Sequence, residues 1–181
     1  MLSIDTHCID KPAFEIRPLS PSPEIRSMLG ELLIDVVADG GSVGFMHPLS
    51  PEQAQAFWHA SLAAAELGAR IVLGAFDQDR LVGTVTLLLD CPPNQPHRGE
   101  IAKLMTRRDH RGRGVASSLV RTAETLAREH RRALLVLDTA SDEGASAFYE
   151  KLGYTRAGEI PDYALKPHGG LTGTIIFWKK V

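Results

Sequence analysis

An unbroken apolar run directly after an amphipathic helix limits this chain to a small number of folds. Ala133–Asp138 reads Ala-Leu-Leu-Val-Leu-Asp, and consecutive apolar side chains are typical of a strand that is buried on both faces of a sheet. The preceding residues, from Gly114 to about His130, carry Val, Leu and Ala at helical spacing, and Arg98–Thr106 has the composition of another strand. A strand, a helix and a strand in this order predict two parallel neighbouring strands joined by a right-handed crossover.

Apolar periodicity and turn residues divide the rest of the chain into short elements. Ser22-Pro23-Glu24 predicts the start of a helix that ends near Ala38, and Ser50-Pro51-Glu52-Gln53 is a capping box that starts a second helix ending at Gly68. The order is β-α-α-β-β-β-α-β-α-β-β, an α/β (mixed α+β) fold. Further strands are predicted at 14–18, 71–76, 81–90, 154–160 and 172–179, a short helix at 144–152 and a loop at 161–170.

The composition excludes several classes of protein. The chain has 181 residues, 44% hydrophobic and 23% charged, which predicts one domain over 1–181 with residues 1–12 as a flexible N-terminal extension. A net charge of -2 argues against a globally basic nucleic-acid binder, and no apolar stretch has the length of a membrane helix. Two cysteines without a CxxC pair and seven scattered histidines predict no metal site. The first ten residues lack the features of a secretory signal, so we expect a cytoplasmic protein.

Alternating glycines stand at the junction between the 98–106 strand and the 114–130 helix. In Arg111-Gly112-Arg113-Gly114-Val115-Ala116, the glycines allow the main chain to approach a ligand, and the helix N-terminus directs N–H groups and a partial positive charge toward it. Between residues 103 and 113, five cations accompany one acid, Asp109. Both features suit a small polyanion such as a pyrophosphate. A solvated basic loop is the alternative for the charge run alone.

This segment resembles a known signature. Arg111-x-x-Gly114-x-Ala116 looks like the acyl-CoA signature (Q/R-x-x-G-x-G/A) of the GNAT superfamily of N-acetyltransferases, and Ala147–Tyr154 resembles the second signature of that superfamily. The predicted order of elements matches its fold over essentially the whole chain. Within the superfamily, the sequence is most similar to the tabtoxin-resistance acetyltransferases, over the segments 41–46, 100–105, 111–114, 137–139, 147–149 and 158–161.

The resemblance implies a central mixed, mostly antiparallel sheet in which a bulge splays one parallel strand pair into a V. Acetyl-CoA is expected to bind in this V without a metal. The end of the 98–106 strand, Leu104, Met105 and Thr106, would pair with the pantetheine arm, and an amide near Leu104 or Met105 would polarise the thioester carbonyl. The pyrophosphate would contact the segment that consists of Arg111, Gly112, Arg113, Gly114, Val115, Ala116 and Ser117.

Three side chains are the candidate catalytic groups. Acetylation requires an amine that has lost its proton, whereas alkylamines are mostly protonated at neutral pH. Glu100 and Asp138 match carboxylate positions of the tabtoxin-resistance group, and we expect them to bind the ammonium and accept its proton. Tyr149 is the candidate general acid for the departing thiolate. Taken singly, each has a structural alternative: an ion pair with Arg98 or Lys103 for Glu100, a turn cap for Asp138 and packing for Tyr149.

Two loops are expected to border the acceptor. Phe45 lies in the loop between the first two helices and Tyr163 in the predicted 161–170 loop, and both are candidate acceptor-binding residues. The expected function is acetyl-CoA-dependent N-acetylation of a small amine, amino-acid-like or β-lactam-type, in toxin or antibiotic detoxification, by direct transfer within a ternary complex. A small acceptor requires a closed pocket, whereas a peptide requires an open groove across the 39–47 and 161–170 loops.

The alternatives are acetylation of a protein N-terminus or lysine, and a non-catalytic acyl-CoA sensor. The presence of Glu100, Asp138 and Tyr149 favours an enzyme over a sensor. Neither a nucleic acid nor a membrane is an expected partner, because the basic residues lack interleaved aromatic side chains and no apolar span is present. The sequence leaves the oligomeric state open, with a homodimer as one arrangement.

Overall fold

The computed structural model of the chain describes residues 14–142 and 144–181, so the expected extension at 1–12 lies outside the described residues. Four helices and seven strands account for most of this part of the chain. In chain order they are β1 (Glu15–Pro18), α1 (Pro23–Ala38), α2 (Pro51–Glu66), β2 (Arg70–Asp77), β3 (Arg80–Leu88), β4 (Arg98–Thr106), α3 (Val115–Glu129), β5 (Leu134–Ala140), α4 (Ser146–Lys151), β6 (Thr155–Leu165) and β7 (Leu171–Lys180).

The strands form one sheet in the order β1-β2-β3-β4-β5-β7-β6. β4 and β5 are parallel, and the other neighbours are antiparallel. The parallel strands pair only from Arg98 with Leu134 to Glu100 with Val136, so that the remaining residues of both strands are free to separate. The predicted mixed sheet with one splayed parallel pair is therefore confirmed, as is the order of its elements.

Two sets of sheet side chains pack against different helices. Leu119, Val120 and Ala123 of α3 are buried in one apolar cluster with β3, β4 and β5. The second cluster joins α1 and α2 to β2 and β3, and Trp58 of α2 is fully buried in it. The two faces of the sheet therefore pack into separate cores: one face packs against α1 and α2, and the other against α3.

A bulge in β4 changes which side of the sheet its residues face. The register between β3 and β4 shifts between Thr84 and Thr86, and Lys103 has a φ of 52°. Ile101 packs in the α3 cluster, whereas Met105 packs in the α1–α2 cluster. Residues four apart on an unbroken strand share a face, so the extra residue of the bulge explains the change. This bulge corresponds to the one that the resemblance implies.

The prediction for β6 was wrong at its C-terminal end. Half of the loop predicted at 161–170 is strand, since β6 continues to Leu165 past a bulge between Ile160 and Ala164. Proline cannot donate to a strand ladder, so Pro161 indicated a break where the chain instead bulges. Every residue of β6 is exposed. Burial therefore does not alternate along this strand, and the sequence has no alternating pattern that would predict it.

The first two helices have serine caps at their N-termini. Ser22 Oγ accepts a hydrogen bond from the Ile25 amide at 3.1 Å, and Ser50 forms the predicted capping box with Gln53. No helix in the described ranges combines the length and hydropathy needed to cross a membrane. Within the same ranges, no group of three or more His, Cys, Asp or Glu side chains has an arrangement that could hold a metal ion.

Candidate active site

A cleft of about 760 Å³ lies where β4 and β5 separate. Residues from β4, β5, α2, α4, the α1–α2 loop and the β6–β7 hairpin line it. Glu100, Asp138 and Tyr149, the three candidate catalytic residues, are all among the lining residues. The fold thus brings together side chains that are up to 49 residues apart in the sequence.

The N-terminus of α3 borders the cleft and has exposed main-chain donors. Gly112 and Gly114 have φ angles of 74° and 86°, and no described atom lies within 4 Å of a Cβ built on either residue. Gly114 precedes the first helical residue, and no side chain of a described residue caps the amides that follow it. The first N–H groups of a helix have no partner within it, so these amides suit a diphosphate.

The predicted cofactor-binding residues divide into two groups. Leu104, Met105, Thr106, Arg111 and Ala116 line the cleft, whereas Gly112, Arg113, Gly114, Val115 and Ser117 are not among the described lining residues. The Val115 side chain is in the core at 1% exposure, and only its main chain can contact a ligand. The donor set is therefore a turn of backbone with two arginines beside it, which fits the diphosphate of a CoA ester.

The basic residues beside this turn have acidic partners that the local sequence does not show. Acids from α1 and from the end of β2 contact four of the five cations counted above. The pairs are Arg107 with Asp35 (2.8 Å), Arg108 and Arg111 with Asp39 (3.5 and 3.7 Å), and Arg113 with Asp77 (3.8 Å). The local excess of positive charge is consequently reduced, and the backbone donors are the stronger indication of an anion site.

Glu100 lies in the last paired position of β4 and β5, where the cleft begins. Its side chain is 37% exposed, and its Oε2 lies 3.4 Å from Nη1 of Arg98. The ion pair considered as an alternative is therefore present. Glu100 nevertheless lines the cleft, so an approaching ammonium group can still reach its carboxylate.

Asp138 lies on β5, two residues beyond the last pair with β4. Thr174, which is 3% exposed on β7, donates a hydrogen bond to Asp138 Oδ2 at 2.8 Å. This contact fixes the carboxylate across the β5–β7 ladder, while Asp138 itself is exposed to the cleft. It leaves the other carboxylate oxygen available to a ligand.

Tyr149 is more deeply buried than its neighbour Phe148. Tyr149 is 7% exposed and packs 5.8 Å from Phe177, whereas Phe148 is partly buried; both line the cleft. Burial, with a smaller contribution from the Asp138 charge, raises the pKa of Tyr149 to about 12. The phenol is therefore protonated throughout the neutral range and is a hydrogen-bond donor at the cleft wall.

Lys103 is a cleft residue that the sequence indicated only as part of the charge run. Its ammonium lies 5.7 Å from the ring centre of Phe57 and 5.9 Å from that of Phe45. Burial lowers the pKa of Lys103, and the charges of Asp138 and Glu100 act in the opposite direction. A lysine within the 98–106 strand, where the resemblance implies a bulge, was the available signal for this residue.

The two candidate acceptor-binding residues differ in position. Tyr163 lines the cleft and is 59% exposed. Phe45 is not among the described lining residues; its ring packs edge-on against Phe57 at 5.1 Å, and Phe57 lines the cleft instead. The sequence does not single out Phe57, because helical spacing alone does not distinguish a core position from a cleft wall.

The α1–α2 loop and the β6–β7 turn touch each other beside the cleft. The His47 amide donates to the Pro167 carbonyl at 2.9 Å, and the His47 and His168 rings lie 4.5 Å apart. His168 Nε2 lies 3.0 Å from the Ala38 carbonyl oxygen. We refer to these three contacts as the loop bridge. It joins the segments that would have to separate to give an open peptide groove.

A comparison with protein families identifies the class of this chain. The family model described as the acetyltransferase (GNAT) family matches residues 36–154. This range contains β4, the glycine turn before α3, β5 and α4. The chain therefore belongs to the acetyltransferase (GNAT) family, and the expected superfamily is confirmed.

Curated relatives match part of the chain. It is 34% identical over 92 residues to N-alpha-acetyltransferase 30 of Schizosaccharomyces pombe, a match over 50% of this chain and 61% of that protein. It is also 34% identical over 87 residues to human N-acetyltransferase 8B, over 47% of this chain and 38% of that protein. The chain thus spans from about two fifths to three fifths of the length of these relatives.

Solved structures share the fold over nearly the whole chain. Ribosomal-protein-alanine N-acetyltransferase from Brucella melitensis superposes with a TM-score of 0.78 at 19% identity, over 92% of this chain and 99% of that one. An acetyltransferase from Salmonella typhimurium, solved with its cofactor acetyl-CoA, gives 0.75 at 17% identity, over 93% and 94%. These likenesses confirm the predicted fold.

Proposed function

We propose that this protein is an acetyl-CoA-dependent N-acetyltransferase whose acceptor is a small amine. The loop bridge is the observation from which we infer that the acceptor is small. A peptide would have to lie across the α1–α2 loop and the β6–β7 hairpin, where His47 and Pro167 are hydrogen-bonded. A small amine needs only the cleft between β4 and β5. Family membership supports the acetyl transfer itself.

Acetyl-CoA supplies an acetyl group activated as a thioester. The amides that begin α3 and the side chain of Arg111 would hold its diphosphate, and Leu104, Met105 and Thr106 border the path from that turn into the V. A main-chain N–H of β4 beyond the bulge would donate to the thioester carbonyl, on whose oxygen negative charge develops during attack. The protein thereby holds the reacting carbonyl at the end of β4 that faces Asp138.

Glu100 and Asp138 prepare the acceptor. Their negative charges attract the ammonium form of the amine into the cleft, and one carboxylate takes up the proton that the nitrogen must lose, directly or through water. Thr174 keeps Asp138 in place for this role. A carbon–nitrogen bond then forms as the carbon–sulfur bond breaks, in a direct transfer within the ternary complex.

Tyr149 acts on the leaving group by sharing its proton. A free thiol has a pKa near 8.5, whereas the pKa of Tyr149 is raised to about 12. Complete proton transfer to the thiolate is therefore uphill by roughly three to four pH units. Donating a hydrogen bond to the sulfur as charge develops needs no such transfer, and we assign Tyr149 this role.

Acetylation of a protein N-terminus is the second candidate function. N-alpha-acetyltransferase 30 of Schizosaccharomyces pombe and N-alpha-acetyltransferase MAK3 of Arabidopsis thaliana match about half of this chain at 34% and 36% identity. For a peptide acceptor, the loop bridge would have to open. The resemblance to tabtoxin-resistance acetyltransferases favours the small amine, and with it a cytoplasmic role in toxin or antibiotic detoxification.

The test is acetyl-CoA-dependent thiol release with two sets of acceptors. One set contains amino acids, other small amines and β-lactams with a free amine; the other contains unacetylated N-terminal peptides and lysine peptides. We expect kcat/KM to be at least about tenfold higher for the best small amine, since the bridge excludes peptides. Higher kcat/KM for peptides would overturn the small-acceptor proposal in favour of the second candidate.

A variant tests the loop bridge within the same assay. His168→Ala removes the ring contact with His47 and the contact with the Ala38 carbonyl, so we expect it to raise peptide turnover relative to small-amine turnover. Thermal unfolding in the presence of acetyl-CoA measures cofactor binding independently of turnover. A ligand at about 100 times its Kd adds about 2.7 kcal/mol to the free energy of unfolding. Absence of both acetyl-CoA binding and thiol release would reject the acetyltransferase proposal.

A further inference from the structure

Two hydroxyl groups on the cleft wall have no use in the mechanism above. Ser61 of α2 and Thr86 of β3 both line the cleft and are 3% and 2% exposed. Neither side-chain oxygen has a hydrogen-bond partner among the described residues. Buried hydroxyls are normally paired, because leaving one unpaired is costly. These two hydroxyls therefore need partners that the described protein atoms do not supply.

The two hydroxyls and Lys103 belong to elements that border the same cleft. Thr86 is the register partner of Ala102, the residue before Lys103. Ser61 follows Phe57 by one helical turn on α2, so both side chains project from the same face. The Lys103 ammonium lies 5.7 Å from the Phe57 ring. Ser61, Thr86 and Lys103 all line the cleft, and we call these three residues the polar subsite.

The charge of Lys103 is not matched by a direct ion pair. No carboxylate of a described residue lies within 4 Å of its ammonium, and Glu100, its near neighbour on β4, contacts Arg98 instead. Its position in the bulge, with a φ of 52°, is a conformation that side chains other than glycine seldom adopt. Strained positions of this kind occur preferentially at functional sites.

We propose that Ser61, Thr86 and Lys103 bind a carboxylate of the acceptor, so that the acceptor is an amino acid with a free carboxylate. Lys103 provides the charge and the two hydroxyls donate hydrogen bonds. Glu100 and Asp138 receive the ammonium group of the same molecule. The cleft then carries both signs of charge in the arrangement that a zwitterion requires. This inference rests on the proposed function and specifies its acceptor.

Matched acceptors test the inference. Thiol release is measured for each of the common amino acids and for its carboxamide, which keeps the amine and the side chain but lacks the charge. We expect the wild-type protein to prefer the acid by at least about tenfold in kcat/KM. In Lys103→Met, kcat/KM for the acid should fall by about 10- to 100-fold, the usual effect of losing a charged hydrogen bond, whereas the amide changes by less than about threefold.

The hydroxyl groups have a conservative variant of their own. Thr86→Val keeps the shape of the side chain, so we expect unchanged or higher thermal stability together with a rise in KM for the acid of about two- to tenfold. A hydroxyl that serves packing alone would leave KM unchanged. Lys180→Met, at an exposed lysine on β7, is the control and should retain the preference for the acid.

Several outcomes would overturn the inference while the proposed function stands. These are equal turnover of acids and amides, loss of both in Lys103→Met, and acetyl-CoA binding without turnover of any amino acid in the panel. A peptide amide that starts with Asp distinguishes a side-chain carboxylate from that of a free amino acid, and its preference over the free acids would also contradict the inference. Absence of acetyl-CoA binding would instead reject the proposed function itself.

Discussion

The two ends of the cleft are built from different parts of the chain. At the α3 end, the donors are main-chain amides of one short segment, 112–117, at a helix N-terminus. At the acceptor end, the polar groups are side chains from α2, β3, β4 and β5. Main-chain donors bind a feature that every CoA ester shares, whereas side chains can change without altering the fold. On the proposed function, differences in acceptor between related proteins would therefore arise from the acceptor end.

The helices repeat this contrast at their N-termini. α1 and α2 each have a serine cap and an acid in the first turn, Glu24 and Glu52, whereas α3 has neither. Hydrogen bonds from their own backbone N–H groups lower the pKa of Glu24 and of Glu52. The positive ends of α1 and α2 are thus already matched by the protein's own carboxylates. That of α3 is left for an external anion.

The largest expected effect is at the acceptor end. Glu100→Gln keeps the size of the side chain and removes the charge and the proton acceptor, so kcat should fall by about 100- to 10,000-fold if Glu100 is the general base. Acetyl-CoA affinity, measured by calorimetry, should change by less than about threefold. The matched variant Asp138→Asn shows which carboxylate is the main base; wild-type turnover in both variants would remove the acids from the mechanism.

The opposite end should respond to a charge in the first turn of α3. Ala116→Glu introduces a carboxylate beside the α3 amides; at about 6 Å from a phosphate and an effective dielectric of about 20, repulsion costs about 3 kcal/mol, or roughly 100-fold in affinity. Folding stability should be unchanged or higher, since the carboxylate favours a helix N-terminus. Ala116→Gln is the neutral control. Unchanged acetyl-CoA affinity in the glutamate variant would place the diphosphate elsewhere.

Tyr149 lies between the two ends and should have an intermediate effect. Tyr149→Phe removes a hydrogen bond to a developing charge, so we expect kcat to fall by about tenfold or more, with acetyl-CoA affinity retained. Because the pKa of Tyr149 is raised to about 12, the wild-type rate should show no loss near pH 10 from its ionisation. A decline near pH 10 that is absent in the phenylalanine variant would contradict this environment for the phenol.

The smallest effect should come from a helix cap. Ser50→Ala breaks the capping box of α2 and should lower the free energy of unfolding by about 1 kcal/mol, which corresponds to a fall in Tm of about 2–4 °C. Acetyl-CoA affinity should be unaffected, because the amides of this N-terminus are capped by the protein's own Ser50 side chain. Ser22→Ala on α1 is the matched variant. A loss of acetyl-CoA affinity in either would show that the helix ends are not separate in function.

The element order was predictable from the sequence because each signal was local. Periodic apolar residues define α3, the apolar run defines β5, and Ser50 with Gln53 defines the start of α2. The glycine turn was recognisable for the same reason. The end of β6 was not, since an exposed strand with a proline has no burial pattern.

Most of the acceptor end was not predictable, since it depends on register and on contacts between distant segments. The bulge gives Lys103 its positive φ and places Met105 in the core with α1 and α2. The sequence of β4 contains no pattern that predicts where the extra residue lies. Phe57 fits the apolar stripe of a helix, and the sequence gives no separate signal for Ser61. The acids that pair with the arginines are more than 30 residues away from them in sequence.

By itself, the sequence determined the elements of this protein, their order and the turn that presents main-chain donors, because propensity, capping and glycine conformations act over a few residues. Only the tertiary structure decided which side chains share the cleft, which cations are already paired and that the two bordering loops are in contact. Those properties depend on how the strands are registered and where β4 and β5 part, and both are set by packing between residues that lie far apart along the chain.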